Sequence, residues 1–544
     1  MTTTHPTRPD DVAVQLEAGP PAPCTRSDEE WSLDGIVVRT TCDRDALTVT
    51  VEAPGVAVRR IGLRWRLDMP PGARLLGDHW ERGYGDLEWR GVVPERVMPW
   101  YMLIFDGRRT RGWGVRIGPA AMCGWQADAA GVTLWLDVRC GGRGVRLGPR
   151  ALRCAEVVTR EGPEGESPFE AARAFCRTMC PQPRPVAEPV YGGNDWYYAY
   201  GNNSREQIVA DAARIAELSP TGPNRPFMVI DSGWQCVPGG DPADERYDPD
   251  AWWDHGNKRF GDMAAVADAI RRAGCRPGIW IRPLAAPLSA PPAMLLPTDR
   301  CLGEVRSPSR GDSEYLDPSV PETLERVAAD IRRLAGWGFE LIKHDYTTFD
   351  LLGRWGPDMG HALTNDGWSF ADRSRTTAEI VLGLYETIRR AAGDAIVIGC
   401  NTVSHLAAGL FELQRTGDDT SGLEWQRTRR MGVNTLAFHM PQHGAFYAAD
   451  ADCVGLTTAV PWALNRQWLE LLAASGTPLF VSASPDALGP QQTRALAAAF
   501  ARAAAPQPPA EPLDWLDTVC PRRWRLGDRD VTFDWYAGAG IELR

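Results

Sequence analysis

The sequence Gly338-Phe339-Glu340-Leu341-Ile342-Lys343-His344-Asp345-Tyr346 passes from an apolar run into two opposite charges. The apolar run comes directly after a segment with a helical pattern, and it ends at the charged residues Lys343 and Asp345. This predicts a buried parallel strand with both charges at its carboxyl end. Burying either charge alone would be costly, so we expect the pair where a barrel opens to solvent or substrate. Taken alone, the stretch fits a structural salt bridge and a catalytic pair equally well.

Strand and helix patterns alternate on both sides of this stretch, over residues 190–507. Amphipathic helical patterns at 206–218, 263–273, 323–335 and 377–391 separate several of the strands. This alternation is typical of a (β/α)₈ TIM barrel, in which catalytic groups lie at the carboxyl ends of the strands. The predicted strands are Asn194–Tyr200, Phe227–Ile230, Gly278–Ile281, Phe339–Ile342, Ala395–Ile398, Leu410–Leu413, Val433–Phe438 and Leu479–Val481.

Residues 28–180 consist of short alternating runs separated by turns rich in glycine and proline. Ala46–Glu52, Gly62–Asp68 and Gly131–Val138 are examples. This pattern predicts an antiparallel β-sandwich in front of the barrel.

Three shorter segments complete the predicted multidomain arrangement of β and α/β units. Residues 1–27, rich in threonine, proline and aspartate, are expected to be a poorly ordered lead-in. Residues 181–189 are expected to be a proline-rich linker. The alternating run Val531–Trp535 predicts a short C-terminal β-module over residues 508–544.

Composition excludes several classes of function. With 44% hydrophobic and 24% charged residues the chain has ample core, and its net charge of −11 argues against a nucleic-acid partner. The thirteen cysteines form no Cys-x-x-Cys pair, which favours a reducing cytoplasm over a disulfide framework. The sequence shows no export signal and no apolar stretch that could span a bilayer, so we expect no membrane partner. The oligomeric state is left open, a homo-oligomer included.

The common nucleotide and metal motifs are absent from the sequence: there is no P-loop, no Gly-x-Gly-x-x-Gly after a strand, no His-Glu-x-x-His and no nucleophile elbow. His439 and His443 are four residues apart, but Pro441 between them disrupts a helical metal-binding face. We therefore expect neither a cofactor nor a metal.

Carboxylates follow several predicted strands. Each could be a helix N-cap, which is the commoner role of an aspartate after a strand. Several at one barrel mouth, with tryptophans such as Trp234 and Trp280 nearby in the sequence, favour a sugar site, because two carboxylates suffice to hydrolyse a glycosidic bond and indole faces suit sugar rings. The carboxylates are Asp231, Asp345, Asp418, Asp419, Asp450 and Asp452.

Four segments resemble motifs of glycoside hydrolase family 36, the α-galactosidase and raffinose-synthase group. Residues 227–235, with Asp231-Ser232-Gly233-Trp234, resemble its strand-two motif, and residues 260–263 with 278–283 resemble its next unit. Lys343-His344-Asp345 is similar to the Lys-x-Asp of the nucleophile. Arg415-Thr416-Gly417-Asp418 resembles the acid/base segment, most closely the Arg-Thr-x-Gly-Asp form of family 27. The order of the motifs along the chain also agrees.

The resemblance implies a retaining glycosidase with Asp345 as nucleophile and Asp418 as acid/base. Asp418 is preferred to Asp419 because it directly follows Gly417, and Asp419 would then raise the proton affinity of Asp418 or cap a helix. Lys343 would bind a substrate hydroxyl and hold Asp345 ionised, with a purely structural ion pair as the alternative. Arg415 would orient a carboxylate or bind substrate.

The chain departs from the family at positions that line the sugar pocket there. Ser232 stands where an aspartate is usual, His344 and Tyr346 flank the nucleophile, and residues 400–403 replace a Cys-x-x-Gly-Gly loop. We therefore expect a carbohydrate substrate that is an α-galactoside or a glycoside of related configuration. The alternatives are a glycosyl-transferring enzyme, like the raffinose synthases, and a non-catalytic carbohydrate-binding barrel. The predicted substrate-binding residues are Asp231, Ser232, Trp234, Trp280, Lys343, Cys400, Asn401, Arg415 and Asp419.

Overall fold

The computed structural model describes residues 7–28, 30–43, 45–238, 241–300 and 314–537. It contains an N-terminal β-sandwich, a central parallel barrel and a short C-terminal β-module, which confirms the predicted fold class. Among the described residues, no helix is long and apolar enough to cross a membrane.

The sandwich consists of two antiparallel sheets, with strand orders β2-β1-β7-β13-β12-β9 and β3-β4-β5-β6-β14-β11-β10-β8. Helix α1, Pro168–Met179, follows the last strand. Alternation places one face of each strand in the core, as in residues 46–52, where Leu47, Val49 and Val51 are buried and the threonines between them are half-exposed. The strands are β1 Asp11–Leu16, β2 Ala22–Pro23, β3 Thr25–Ser27, β4 Glu30–Leu33, β5 Ile36–Asp43, β6 Ala46–Glu52, β7 Val58–Arg66, β8 Arg74–Gly77, β9 Met98–Pro99, β10 Tyr101–Phe105, β11 Thr110–Val115, β12 Met122–Asp128, β13 Gly131–Asp137 and β14 Ala151–Glu161.

The N-terminal segment is part of this sandwich. Strand β1 pairs antiparallel with β7, and its Val12 and Val14 are buried, at 2% and 0% exposure. The prediction of a poorly ordered lead-in over residues 1–27 is therefore wrong for residues 11–27, and residues 1–6 lie outside the described part of the chain. The polar composition of the segment concealed a short alternating strand, which gains its stability from the neighbouring strand and from the core.

The barrel is built from parallel strands in the order β23-β22-β21-β20-β17-β16-β15-β25-β24. Strands β23 and β24 are separated by only two residues, and they pair with opposite ends of this order, β22 and β25. Residues 448–456 thus act as one broken strand that closes an eight-stranded barrel. The strands of this region, including the small β18–β19 pair outside the barrel, are β15 Tyr191–Asn194, β16 Phe227–Ile230, β17 Arg276–Ile281, β18 Ala285–Ala286, β19 Glu314–Tyr315, β20 Leu341–His344, β21 Ile396–Gly399, β22 Leu413–Arg415, β23 Ala448–Asp450, β24 Cys453–Leu456 and β25 Leu479–Ala483.

Amphipathic helices surround the barrel, and the four helical patterns of the sequence are confirmed to within two residues. Helix α7 begins with a complete capping box, in which Thr376 and Glu379 satisfy each other's backbone N–H groups. The helices of the barrel are α2 Trp196–Ala199, α3 Arg205–Leu218, α4 Met263–Ala273, α5 Pro321–Gly336, α6 Thr347–Leu352, α7 Thr377–Ala391, α8 Ser404–Ala407, α9 Trp425–Arg427, α10 Thr435–His439, α11 Trp462–Ala474 and α12 Pro490–Ala503.

Five of the eight predicted strands are confirmed with a shift of no more than two residues at either end, and three predictions are wrong in position or type. Asn194–Tyr200 is mostly the turn and short helix α2 after β15. Leu410–Leu413 precedes β22 and overlaps it by one residue. Val433–Phe438 is helical, because it belongs to a continuous helical segment over residues 425–439. In a helix that is buried on all sides, apolar residues are not restricted to one face, so periodicity alone did not separate this segment from a buried strand.

The C-terminal module is a three-stranded antiparallel sheet packed on the barrel. Its strands are β26 Glu511–Pro512, β27 Arg523–Leu526 and β28 Arg529–Thr532. Trp535 follows them and is fully buried, and its carbonyl accepts a hydrogen bond from the indole of Trp425 at 2.7 Å. Residues 538–544 lie outside the described part of the chain.

The ordered N-terminal strand leads to a prediction about stability. Val14→Asp places an unpaired carboxylate in the sandwich core and should destabilise this domain by at least about 3 kcal/mol. Gln15→Glu, on the half-exposed face of the same strand, should change the stability by no more than about 0.5 kcal/mol. Calorimetry and amide hydrogen exchange of residues 11–16 measure both effects. Rapid exchange of these amides in the wild-type protein would contradict the strand assignment.

Candidate active site

A cavity of about 950 Å³, with the open solvent at its mouth included, lies at the carboxyl ends of the barrel strands. Ligand sites of barrel enzymes are found at this face. The cavity combines indole and other apolar surfaces with several charged groups. The residues that line it are Trp196, Asp231, Ser232, Gln235, Cys236, Val237, Pro238, Ala251, Trp252, Trp253, Trp280, Arg282, Ala285, Ala286, Lys343, Asp345, Tyr346 and Asp419.

An ion pair between Lys343 and Asp231 forms the centre of the cavity floor. The Lys343 Nζ lies 2.7 Å from Oδ2 of Asp231, and both side chains are at least 90% buried. Asn194 donates a further hydrogen bond to the same carboxylate oxygen at 2.8 Å, and the backbone N–H of Ser232 donates to the other. Burial lowers the pKa of Lys343, but the charge of Asp231 outweighs this and the pKa lies well above its usual value. The ammonium group is therefore charged.

Asp345 lies at the end of β20, half-buried on the cavity wall. Its Oδ2 accepts a hydrogen bond from the indole of Trp280 at 3.2 Å, and its Oδ1 accepts one from the backbone N–H of Tyr346 at 2.7 Å. Tyr346 has a φ of 64°, so the chain turns sharply out of the strand after the carboxylate. Within the described part of the chain, Asp345 forms no ion pair within 4 Å. It is held in place by neutral donors alone.

Asp418 and Asp419 follow β22 and have different surroundings. Each oxygen of Asp418 contacts a guanidinium, Arg82 at 2.6 Å and Arg427 at 3.0 Å, and Asp418 does not line the cavity. Asp419 lines the cavity and contacts Arg415 at 3.2 Å. The structure therefore brings Asp419, and not Asp418, onto the same wall as Asp345.

Arg415 organises the charges behind this wall. It is 1% exposed and contacts Asp452 at 2.8 Å in addition to Asp419. Burial raises the pKa of Asp419, but the charges of Arg415, Arg82 and Lys343 outweigh it and hold the pKa at about 2. Asp419 is thus an anion at neutral pH in the substrate-free protein.

The β-sandwich contributes a side chain to the barrel mouth. Residues 81–84 lie against the loop after β22, where the N–H of Gly83 donates to the carbonyl of Thr416 at 2.7 Å and the N–H of Asp418 donates to the carbonyl of Gly83 at 3.0 Å. A Cβ at Gly83 would lie 2.9 Å from a methyl carbon of Thr435 and 3.2 Å from the carbonyl oxygen of Thr416, so a larger residue would force its neighbours to shift. This contact between the sandwich and the loop after β22 positions the guanidinium of Arg82 beside Asp418.

Comparisons with known proteins agree with this architecture. A scan of family models and a search of curated proteins found no match to the sequence. The fold is similar to TtGalA, an α-galactosidase from Thermus thermophilus in complex with p-nitrophenyl α-D-galactopyranoside, with a TM-score of 0.60 and 18% identity over 92% of this chain and 97% of that chain. It is also similar to a variant of the GH36 α-galactosidase AgaA from Geobacillus stearothermophilus in complex with 1-deoxygalactonojirimycin, with a TM-score of 0.56 and 14% identity over 92% and 73% of the two chains. The galactosidase domain of the α-galactosidase–sucrose kinase AgaSK aligns with a TM-score of 0.55 and 15% identity over 90% and 73%.

The chain has the fold of the family 36 α-galactosidases. The resemblance inferred from the four sequence motifs is thereby confirmed at the level of the fold. The low identity agrees with a divergent chain, in which the site is best described from its own side chains.

Within this family 36 fold, the predicted site residues form two groups. Asp231, Ser232, Trp280, Lys343, Asp345 and Asp419 line the cavity, whereas Trp234, Cys400, Asn401, Arg415 and Asp418 do not. Trp234 is fully buried and donates its indole N–H to the carbonyl of Trp280 at 2.8 Å. Cys400 lies beneath the wall, 3.4 Å from the guanidinium of Arg415. The side chain of Asn401 bonds Glu81 of the sandwich and the backbone N–H of Phe349. Trp234, Cys400 and Asn401, which were predicted to bind substrate, therefore pack behind the cavity wall and do not line it.

Sequence patterns missed several residues of the site. Arg82 is distant from the barrel in sequence and lies in an irregular loop, so no local signal marks it. Asp195 was concealed by the wrong strand prediction at 194–200. Its carboxylate accepts the backbone N–H of Asp231 at 2.7 Å, and burial together with the charge of Asp231 raises its pKa to about 7. Arg282 follows β17, just after the Trp280 motif, and lies over the ring of Tyr346 at 4.1 Å.

His344, which precedes the candidate nucleophile, is a buried neutral side chain. Its ring packs 4.9 Å from that of Phe411, and neither ring nitrogen has a hydrogen-bond partner among the described residues. Burial lowers its pKa from 6.5 to about 3. Between about pH 6.5 and pH 3, His344 therefore takes up a proton in the unfolded chain but not in the folded protein. The stability that this position contributes is fully present above pH 6.5 and is lost as the pH falls towards 3.

Replacing His344 should make the protein less sensitive to acid. His344→Phe removes no hydrogen bond, so we expect a change in stability of less than about 1.5 kcal/mol near neutral pH. Between about pH 6.5 and pH 4.5 the variant should lose less stability than the wild type, as measured by urea unfolding at each pH. His361→Phe, at an exposed position, is the control and should show the wild-type pH dependence. Equal acid sensitivity of all three proteins would mean that His344 is protonated in the folded state.

Proposed function

We propose that the protein is a retaining glycosidase that cleaves an α-galactoside, or a glycoside of related configuration, through a covalent glycosyl-enzyme. The observation that carries the proposal is that Asp345 and Asp419 line one cavity together with the buried Lys343–Asp231 ion pair. Two carboxylates flanking the scissile bond are the minimal requirement of this reaction. The likeness of the fold to α-galactosidases supports the choice of sugar.

We assign Asp345 as the nucleophile. Its charge is not neutralised by a neighbouring cation in the described residues, and only the Trp280 indole and one backbone N–H contact it. An oxygen lone pair is therefore available to attack the anomeric carbon as the bond to the leaving group breaks. Trp280 keeps the carboxylate oriented, because its indole is fixed on the neighbouring strand β17.

We assign Asp419 as the acid/base, although the sequence motif favours Asp418. Two arginines occupy the oxygens of Asp418, whereas Asp419 faces the cavity. Asp419 would protonate the leaving oxygen in the first step and take a proton from water in the second. In the free protein the pKa of Asp419 is about 2, which suits its role as the base that takes a proton from water in the second step. The same low pKa makes it difficult for Asp419 to carry the proton that the leaving oxygen needs in the first step. Leaving groups that depart without a proton should therefore be favoured.

We propose that Lys343 and Asp231 bind sugar hydroxyls, since a lysine donor and a carboxylate acceptor lie side by side in the lining of the cavity. Trp252, Trp253 and Trp280 provide indole surface for the C–H faces of the sugar. Ser232 lines the cavity, where its hydroxyl accepts a hydrogen bond from the amide of Gln235 at 3.0 Å. A short neutral group here favours a sugar that differs from unmodified galactose at the facing hydroxyl.

Removing the anion at position 345 should abolish the chemical step. Asp345→Asn keeps the size of the side chain, so folding should survive while kcat falls at least about 1,000-fold. A 2-deoxy-2-fluoro glycoside or a cyclitol aziridine should label the wild type on the peptide that contains Lys343 to Tyr346, as read by mass spectrometry. The exposed Asp358→Asn is the control and should keep full activity. A label on any other carboxylate would overturn the assignment.

Azide should separate the two candidate acid/base residues. Asp419→Ala should lose activity on glycosides with poor leaving groups but retain the first step with a dinitrophenyl glycoside, and azide should then restore turnover because a small anion needs no general base. The product should be a glycosyl azide with the configuration of the substrate. Asp418→Ala should show no such rescue, because Asp418 does not face the cavity.

The opposite outcome, rescue of Asp418→Ala alone, would return the role to Asp418, and an inverted azide product would exclude the two-step mechanism. Transfer of the sugar to an added acceptor, without hydrolysis, would identify the glycosyl-transferring alternative. Binding of the sugar with no turnover would identify a carbohydrate-binding barrel.

A further inference from the structure

A loop at the rim of the cavity carries a cysteine, an aspartate and a histidine that converge on one point. The loop follows β16 and runs from Cys236 to His255, and Asp248 lies between them in the sequence. The ligand atoms of the three side chains lie within 4.8 Å of one another. Two backbone bridges, Gln235 to Gly256 and Val237 to Tyr247, bring the parts of the loop together.

Two of the three distances within this cluster are those of tetrahedral metal ligands. The Nε2 of His255 lies 3.4 Å from Sγ of Cys236 and 3.4 Å from Oδ2 of Asp248. Zinc binds sulfur at about 2.3 Å and nitrogen or oxygen at about 2.0–2.1 Å, so a tetrahedral angle places the sulfur about 3.6 Å and the oxygen about 3.3 Å from the nitrogen. Both measured separations agree with these values to about 0.2 Å.

The orientation of the histidine is also that of a metal ligand. Nδ1 of His255 lies 2.9 Å from the carboxylate of Asp254, which accepts its N–H and leaves the lone pair of Nε2 directed at Cys236 and Asp248. A carboxylate behind the other ring nitrogen is the usual partner of a histidine that binds zinc. Asp248 is oriented as well, because its Oδ1 accepts the backbone N–H of Asp250 at 3.1 Å.

We propose that Cys236, Asp248 and His255 bind a divalent cation of the zinc type. On binding, the Cys236 thiol releases its proton to solvent as the sulfur–metal bond forms, so that a thiolate, a carboxylate and a neutral imidazole hold the ion. The expectation of no metal rested on His439 and His443 and on contiguous motifs. This cluster has no such motif, because its ligands are spread over twenty residues and converge only through the loop fold.

The ion would fix one wall of the cavity. Cys236 lines the cavity at one end of the loop, and Trp252 and Trp253 line it just before His255. A metal held at both ends links these parts of the wall and limits their movement relative to β16. This role does not depend on the proposed glycosidase reaction, in which none of the three ligands takes part.

Cobalt provides a direct test on the full-length chain. The purified protein is stripped of metal with a chelator under reducing conditions and titrated with Co²⁺, and Zn²⁺ affinity is then measured by competition. We expect about one ion per chain and a thiolate-to-cobalt charge-transfer band. Cys236→Ser should eliminate the band, and His255→Ala and Asp248→Asn should each weaken Zn²⁺ binding at least about tenfold. Asp254→Asn should weaken binding while leaving the band in place at saturating Co²⁺.

Two matched variants serve as controls. Cys24→Ser removes another half-buried thiol, in the sandwich, and Asp250→Asn removes an exposed carboxylate of the same loop. Both should bind Co²⁺ and Zn²⁺ as the wild type does. Absence of the charge-transfer band in the wild type, or a band and affinity unchanged by both Cys236→Ser and His255→Ala, would overturn the proposal. Loss of sugar turnover with metal binding intact would instead bear on the glycosidase assignment alone.

Discussion

The ammonium of Lys343 is buried at the end of a barrel strand, and the need to neutralise its charge explains the arrangement of the residues around it. A buried cation is tolerated only beside a carboxylate with its own hydrogen bonds satisfied, and removing one partner of such a pair typically costs about 3–5 kcal/mol. Asp231 meets this need from β16, two strands away, and Asn194 and Asp195 support it from β15. Three strand ends are thereby tied into one network beneath the cavity.

Charge balance around this network distinguishes one carboxylate from the rest. Asp231, Asp418, Asp419 and Asp452 each contact a lysine or an arginine. Among the described carboxylates that line the cavity, Asp231 and Asp419 have a cation, whereas Asp345 has neutral donors instead. The arginines stabilise several buried acids, and none of them lies against Asp345 in the described residues.

The sequence predicted the features that are local and missed those created by the fold. Lys343, Asp345 and Asp231 could be located because a charge that interrupts a buried apolar strand is visible in a few residues. Arg82 could not, since it reaches Asp418 from another domain, 336 residues away in the chain. The choice between Asp418 and Asp419 depends on which way each side chain points, and a motif of four residues does not contain that information. Residues 433–438, within the helical segment 425–439, were mistaken for a strand because burial on all sides removes the periodicity that separates a helix from a strand.

The docking of Gly83 against the loop after β22 has a consequence for how the chain can be recombined. The sandwich and the barrel share a backbone bridge at Gly83, where a Cβ would force its neighbours to shift, and a guanidinium from one domain neutralises an acid of the other. A chimera that joined this barrel to a foreign sandwich would leave Asp418 with a single arginine and could introduce a side chain where there is no room for one. The sandwich and the barrel therefore depend on each other structurally, and the change of architecture between them is an unsuitable point at which to exchange domains.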